Sequence, residues 1–184
     1  MSTSFTKTGY RGPGPADPSE LGPVIGTIAR IGARVQGRKT LGVFATIGRA
    51  PRLFRGWLLY SATMMPFGYL SRKETELIIL RVAHLRGADY EYDQHKDLAA
   101  RAGLTPEEIA ATAQERHGFV GRWATLLDAA GEIVKDRNLS DLTWTRLSGV
   151  LNKREQVAFT MLVTQYDGLA TALDVLDVPI DERR

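Results

Sequence analysis

Residues 74–104 read ETELIILRVAHLRGADYEYDQHKDLAARAGL, and the reading of this stretch decides the fold. Leu77, Ile78, Leu80, Val82 and Ala83 make its first half apolar almost all round, the pattern of a helix buried at the centre of a protein. Ser71 stands three residues before Glu74, a capping box that sets the start of this helix. Gly87 ends it, and a second helix runs over 89–102 to close at Gly103, a natural left-handed cap. Glu76 lies on the first helix; Glu91 and His95 lie on the second, four apart and so about one turn apart on one face. Two carboxylates and an imidazole near one helix junction form a set that can carry proton-transfer chemistry.

The flanking sequence continues in the same style. Ser19 is positioned to cap a helix from Glu20, and a helix over 24–35 follows in spite of Gly22, Pro23 and Gly26. Pro51 suits the first turn of a helix reaching about residue 65, with Leu53, Phe54, Trp57, Leu58 and Ser61 at helical spacing. Thr105-Pro106-Glu107-Glu108 starts another, a long helix spans 119–136, and Ser140 caps a short one through Leu147. Asn152 and Glu155 begin the last major helix, which is expected to reach about Tyr166, with residues 168–176 adding a turn or two. No stretch alternates as a strand does, so the fold is expected to be all-α. Residues 1–19 are rich in Gly, Pro, Ser and Thr and read as a flexible arm or an extended strap; residues 20–184 read as one domain.

One internal echo stands out. Leu70-Ser71-Arg72-Lys73-Glu74 and Leu151-Asn152-Lys153-Arg154-Glu155 share a pattern at an offset of 81 residues (151 − 70), and each precedes a strongly apolar helix. Two similar helical units packed about a pseudo-dyad account for it; coincidence is the alternative, since capping boxes are common.

Composition narrows the function classes. The chain has 184 residues and no cysteine, which excludes disulfides, thiol catalysis and thiolate metal sites. No apolar run approaches the length that crosses a bilayer, and the first residues lack the apolar core of a secretory signal, so a cytoplasmic home is expected. The net charge of +3 is uneven: residues 1–60 carry nine basic side chains against Asp17 and Glu20, which leaves that part at +7 and the rest at −4. A basic face of this kind steers anions or pairs with acidic surface; nucleic acid is not the expected partner, because no binding motif accompanies the charge.

The central block resembles the carboxymuconolactone decarboxylase and alkylhydroperoxidase D superfamily. The residues that carry the resemblance are the capped helix with its early Glu76, the Gly87 break, Tyr90-Glu91-Tyr92-Asp93-Gln94-His95, and Ala102-Gly103-Leu104-Thr105-Pro106-Glu107-Glu108-Ile109. In the hydroperoxidase branch a helix-borne Glu precedes a Cys-x-x-Cys pair, and a His follows four residues after the second Cys. Those thiol positions fall here on Ala88 and Glu91, while Glu76 and His95 keep the Glu and His. Thiol peroxidase chemistry needs an attacking and a resolving thiol, so this chain cannot run it. The decarboxylase branch works without that pair. The resemblance therefore implies a helical homo-oligomer (dimer, trimer or hexamer) and a cofactor-free lyase or proton-transfer enzyme acting on a small organic acid or lactone. A non-catalytic scaffold or small-ligand-binding protein of the same fold is the alternative.

In the enzyme reading His95 gives or takes the proton and Glu76 orients it or shares the proton, unless Glu76 is only an ion pair with Arg81 or Arg72 or a surface residue; Glu91 holds a proton or simply pairs with Lys96 or Arg86. Tyr90 and Tyr92 are candidates to bind substrate, or packing residues with a wet hydroxyl. Arg81 and Arg86 could clamp a substrate carboxylate, or pair with Asp89 or Asp93. His84 is a further candidate at the site; with Glu76, Glu91 and His95 it could make a metal site, but the spacing matches no standard metal signature, so no metal is expected. Trp57, Trp123 and Trp144 read as core or interface anchors.

Overall fold

The computed structural model describes residues 12–184. Its helices are α1 (Gly22–Gln36), α2 (Gly42–Gly48), α3 (Pro51–Ala62), α4 (Arg72–Arg86), α5 (Asp89–Arg101), α6 (Pro106–Ala111), α7 (Gly121–Asp136), α8 (Asp141–Val150) and α9 (Lys153–Val175). Among the described residues there is no strand, only an isolated antiparallel bridge between Arg38 and Arg183. The fold is all-α, as the sequence pattern requires.

The central helix is α4. Every residue from 74 to 83 is buried, because α5, α7 and α9 cover it on different sides. Ile78, Ile79 and Val82 pack with Leu126, Ala130, Phe159 and Val163 of α7 and α9. Leu77 and Leu80 turn the other way, onto Ala99, Leu104 and Leu127. Burying each such side chain contributes about 1.5–3 kcal/mol, and this accounts for apolar residues on nearly every side of the helix over 77–83, with Arg81 the exception. A third cluster, with Leu21, Ile25, Ala45 and Phe54, joins α1, α2 and α3.

The echo between 70–74 and 151–155 has a structural counterpart. Both segments form capping boxes, Ser71 with Glu74 and Asn152 with Glu155. Arg122 of α7 binds both glutamates, its Nε 2.6 Å from Glu74 Oε1 and its Nη2 3.2 Å from Glu155 Oε1.

Several boundaries differ from the sequence expectation. The first helix begins at Gly22 with Leu21 at its cap, not at Glu20 under Ser19; residues 18–20 form a turn instead. The short α2 was not expected, since it spans seven residues between two glycines and has no side-chain cap. α9 runs unbroken for 23 residues through Gly168. Asp167, just before that glycine, is gripped by Arg86 and Arg137, and this tertiary anchoring outweighs the weak helix propensity of glycine. Residues 12–19 lie along the body: Gly14 N–H donates to Leu176 O at 3.1 Å, and Ala16 is buried against α2. Residues 1–11 of the expected arm lie outside the described part.

Candidate active site

The α4–α5 hairpin builds the site. Gly87 adopts a left-handed φ of 62°, and its N–H and that of Ala88 return to His84 O and Ala83 O. α5 therefore folds back along α4, and Glu76 and His95 meet. His95 Nδ1 lies 2.7 Å from Glu76 Oε2, and Arg72 Nη2 lies 2.5 Å from Glu76 Oε1. Glu76 is wholly buried, a position a carboxylate tolerates when both oxygens face cationic or N–H partners. A hydrogen bond from Nδ1–H to Glu76 selects the tautomer whose Nε2 is an acceptor. The ring of Tyr166 from α9 meets His95 edge-on, with centroids 5.2 Å apart at 85°. That contact leaves the imidazole little freedom to turn.

His95 lies on the wall of a cavity of about 270 Å³ between α3, α5 and α9. Phe44, Trp57, Met64, Met65 and Leu98 give it a mainly apolar lining, and no Lys or Arg among the described residues reaches it. Glu91 is on the same wall and is 3% exposed, with neither carboxyl oxygen hydrogen-bonded. Burial, assisted by the nearby Asp167 carboxylate, pushes the Glu91 carboxyl up to about 8, so it is protonated at neutral pH. Asp167 itself goes the other way: burial would raise it, but Arg86 and Arg137 outweigh burial and hold it below the usual range.

The other expected site residues are placed as follows. Tyr90 lines the cavity, but its hydroxyl is engaged: it accepts from Val43 N–H at 3.0 Å and donates to Asp181 Oδ2 at 2.7 Å. Tyr92 is not on the cavity wall; its hydroxyl donates to Ile109 O at 3.2 Å beside α6. Arg81 lies on another side of α4, where Nη1 donates to Thr112 O and Gln114 O at 3.0 and 2.7 Å. His84 is exposed near the end of α4, and partial burial together with Arg81 lowers its pKa. Arg86 is committed to Asp167. The expected arginine clamp for a carboxylate is thus not assembled at His95. Among the described residues no group of three or more His, Asp or Glu is arranged to hold a metal ion.

Four contributors were not among the expected site residues. Trp57 is a cavity-wall residue and not only a core anchor. Gln94 donates from Nε2 to Asp181 Oδ2 at 2.7 Å and also lines the cavity; its place beside His95 and three after Glu91 was the available signal. Tyr166 had no local signal, because α9 is brought to α5 only by the tertiary fold. Asp181, from the C-terminal tail, holds Tyr90, Gln94 and the Gly42 N–H together, the last at 2.8 Å.

The fold matches solved structures over nearly its whole length. A cysteine-to-alanine variant of the debrominase Bmp8, in complex with 2,3,4-tribromopyrrole, superimposes with a TM-score of 0.77 at 14% identity, covering 91% of this chain and 90% of that one. An uncharacterized peroxidase-related protein from Ralstonia eutropha JMP134, an alkylhydroperoxidase AhpD core, gives 0.73 at 19% identity, covering 90% and 87%. A putative antioxidant defence protein AhpD from Agrobacterium tumefaciens gives 0.62 at 19% identity, covering 71% and 92%. The chain thus shares its all-α fold with AhpD-like proteins. The chain matches none of the curated proteins by sequence. Residues 51–132 match the Carboxymuconolactone decarboxylase family model, and the chain has no cysteine.

Proposed function

We propose that this protein is a carboxymuconolactone decarboxylase-like proton-transfer enzyme acting on a small, uncharged lactone or related carbonyl compound. The observation that carries the reading is the buried Glu76–His95 pair on the wall of an apolar cavity, beside the protonated carboxyl of Glu91. His95 Nε2 takes a proton from carbon next to the carbonyl, and the C–H electron pair moves into the carbonyl to give an enolate. Glu91 donates its O–H to the developing oxyanion, where a low-dielectric setting strengthens the bond. The proton then returns from His95 to the same carbon or to its vinylogous partner. Glu76, backed by Arg72, is a positioning residue: it fixes the tautomer and stabilises the imidazolium while the enolate exists.

The absence of Lys and Arg from the described wall favours the lactone over the free acid as substrate. Bmp8 gives the fold a precedent for a small halogenated ring as ligand. The test is exchange in deuterated water, followed by NMR on a β,γ-unsaturated γ-lactone. The wild-type chain should catalyse deuterium entry at carbon, and His95→Ala should lower the rate by about a hundredfold or more. No exchange above buffer, or an undiminished rate in His95→Ala, defeats the reading.

A further inference from the structure

Around this cavity, three side chains carry buried polar atoms with no partner. Trp57 Nε1 has no acceptor, Gln94 Oε1 has no donor, and neither Glu91 oxygen is bonded. Glu91 and Gln94 are 3% and 5% exposed, and both line the cavity. The orientation of the Gln94 amide is fixed, since its nitrogen donates to the Asp181 carboxylate and leaves Oε1 as the unpaired end. Buried polar groups are nearly always paired, so several unpaired ones on one wall specify what a ligand must bring.

Their chemistry sorts simply. Trp57 offers only a donor, and Gln94 Oε1 and His95 Nε2 offer only acceptors. Glu91, as an acid, offers one of each. The complement is a molecule with both a carbonyl-type acceptor and a hydroxyl-type donor. An anion would meet the Glu91 carboxyl with no Lys or Arg on the described wall to balance it. The flat walls of Phe44, Trp57 and Tyr166 suit a ring, and about 270 Å³ is at the small end of ligand sites.

Resting on the proton-transfer reading above, we infer that the natural ligand is an uncharged, flat ring compound bearing both a ring carbonyl and a hydroxyl, a hydroxylated lactone or cyclic enone of one or two rings. The hydroxyl donates to Gln94 Oε1. The carbonyl accepts from the Trp57 N–H, with the Glu91 O–H beside it. Selection comes from the cost of leaving any of these groups unmatched in a dry site.

The test compares three probes by isothermal calorimetry at mildly acidic pH: umbelliferone (a hydroxylated coumarin lactone), its methyl ether, and coumarin carboxylate. Umbelliferone should bind about tenfold or more tighter than either of the others. Trp57→Phe should weaken umbelliferone and the ether alike by about five- to tenfold, because both keep the carbonyl. Gln94→Met should shrink the preference over the ether to about twofold or less, with folding of each variant verified by circular dichroism. Equal binding of the ether, tighter binding of the carboxylate, or no binding of any probe overturns the inference. A preference unchanged in Gln94→Met overturns it too. None of the probes undergoes the exchange reaction proposed above, so the two readings fail separately. Lost exchange with intact selectivity defeats only the catalytic one, and the reverse defeats only this one.

Discussion

Glu76 and Glu91 are two carboxyl groups at nearly the same depth, on either side of one helix junction, and they differ in their company. Glu76 faces Arg72 on one oxygen and His95 on the other. Glu91 has no partner on either oxygen and lies near another carboxylate, Asp167. The pair shows how one fold keeps a partnered carboxyl group and an unpartnered one side by side, and burial pushes the pKa of the second up. Proton transfer needs both kinds of group, since the first steadies the base and the second supplies an O–H.

The contrast can be broken most forcefully at Glu76. Glu76→Leu leaves Arg72 and His95 facing apolar surface, and the loss of a buried pair of this kind costs about 3–5 kcal/mol. Urea denaturation should register that loss, and deuterium exchange should vanish with it. A variant as stable as wild type would mean that the Glu76 contacts contribute nothing.

Next in size is Glu91→Gln, with the opposite sign. The folded carboxyl titrates at about 8 against an ordinary 4.5, so the folded chain keeps a proton that the unfolded chain releases. Stability is therefore complete below the unfolded value and falls as pH rises between the two, at about 1.4 kcal/mol per unit at most. Glutamine does not titrate. Thermal melts of wild type and variant should coincide near pH 4, while near pH 9 the variant should be more stable by roughly 2–4 kcal/mol. A gap that is independent of pH would show that Glu91 is not held protonated.

The smallest effect is expected at Asp181→Ala. It strips partners from the Tyr90 hydroxyl, the Gln94 amide and the Gly42 N–H, at a cost of about 1–3 kcal/mol. Exchange activity should fall only as far as the α5 wall loosens. An activity loss as deep as that of His95→Ala would place Asp181 in the chemistry instead.

Much of this was legible in residues 70–104. A capping box, a mostly apolar run and a glycine at the reversal define α4 and its turn from local physics alone. The Glu76–His95 meeting follows once α5 folds back. The side chains around them were harder to assign, because successive helical residues point about 100° apart. Glu91 and His95 share the cavity face, whereas Tyr92 faces α6 and Arg81 faces the segment after α6. Sequence proximity to Glu91 or Glu76 therefore said little about which wall each would join. Trp57 and Tyr166 arrive from helices far away in the chain, and no local pattern announces them.

Arg122 links the N-terminal turns of α4 and α9 through one guanidinium. Neither turn can fray without loosening a contact that the other shares, so their local opening is thermodynamically joined. The turn that begins the helix of Glu76 and the one that begins the helix of Tyr166 are thus tied by one side chain, so the residue that holds His95 and the ring that packs on it share an anchor.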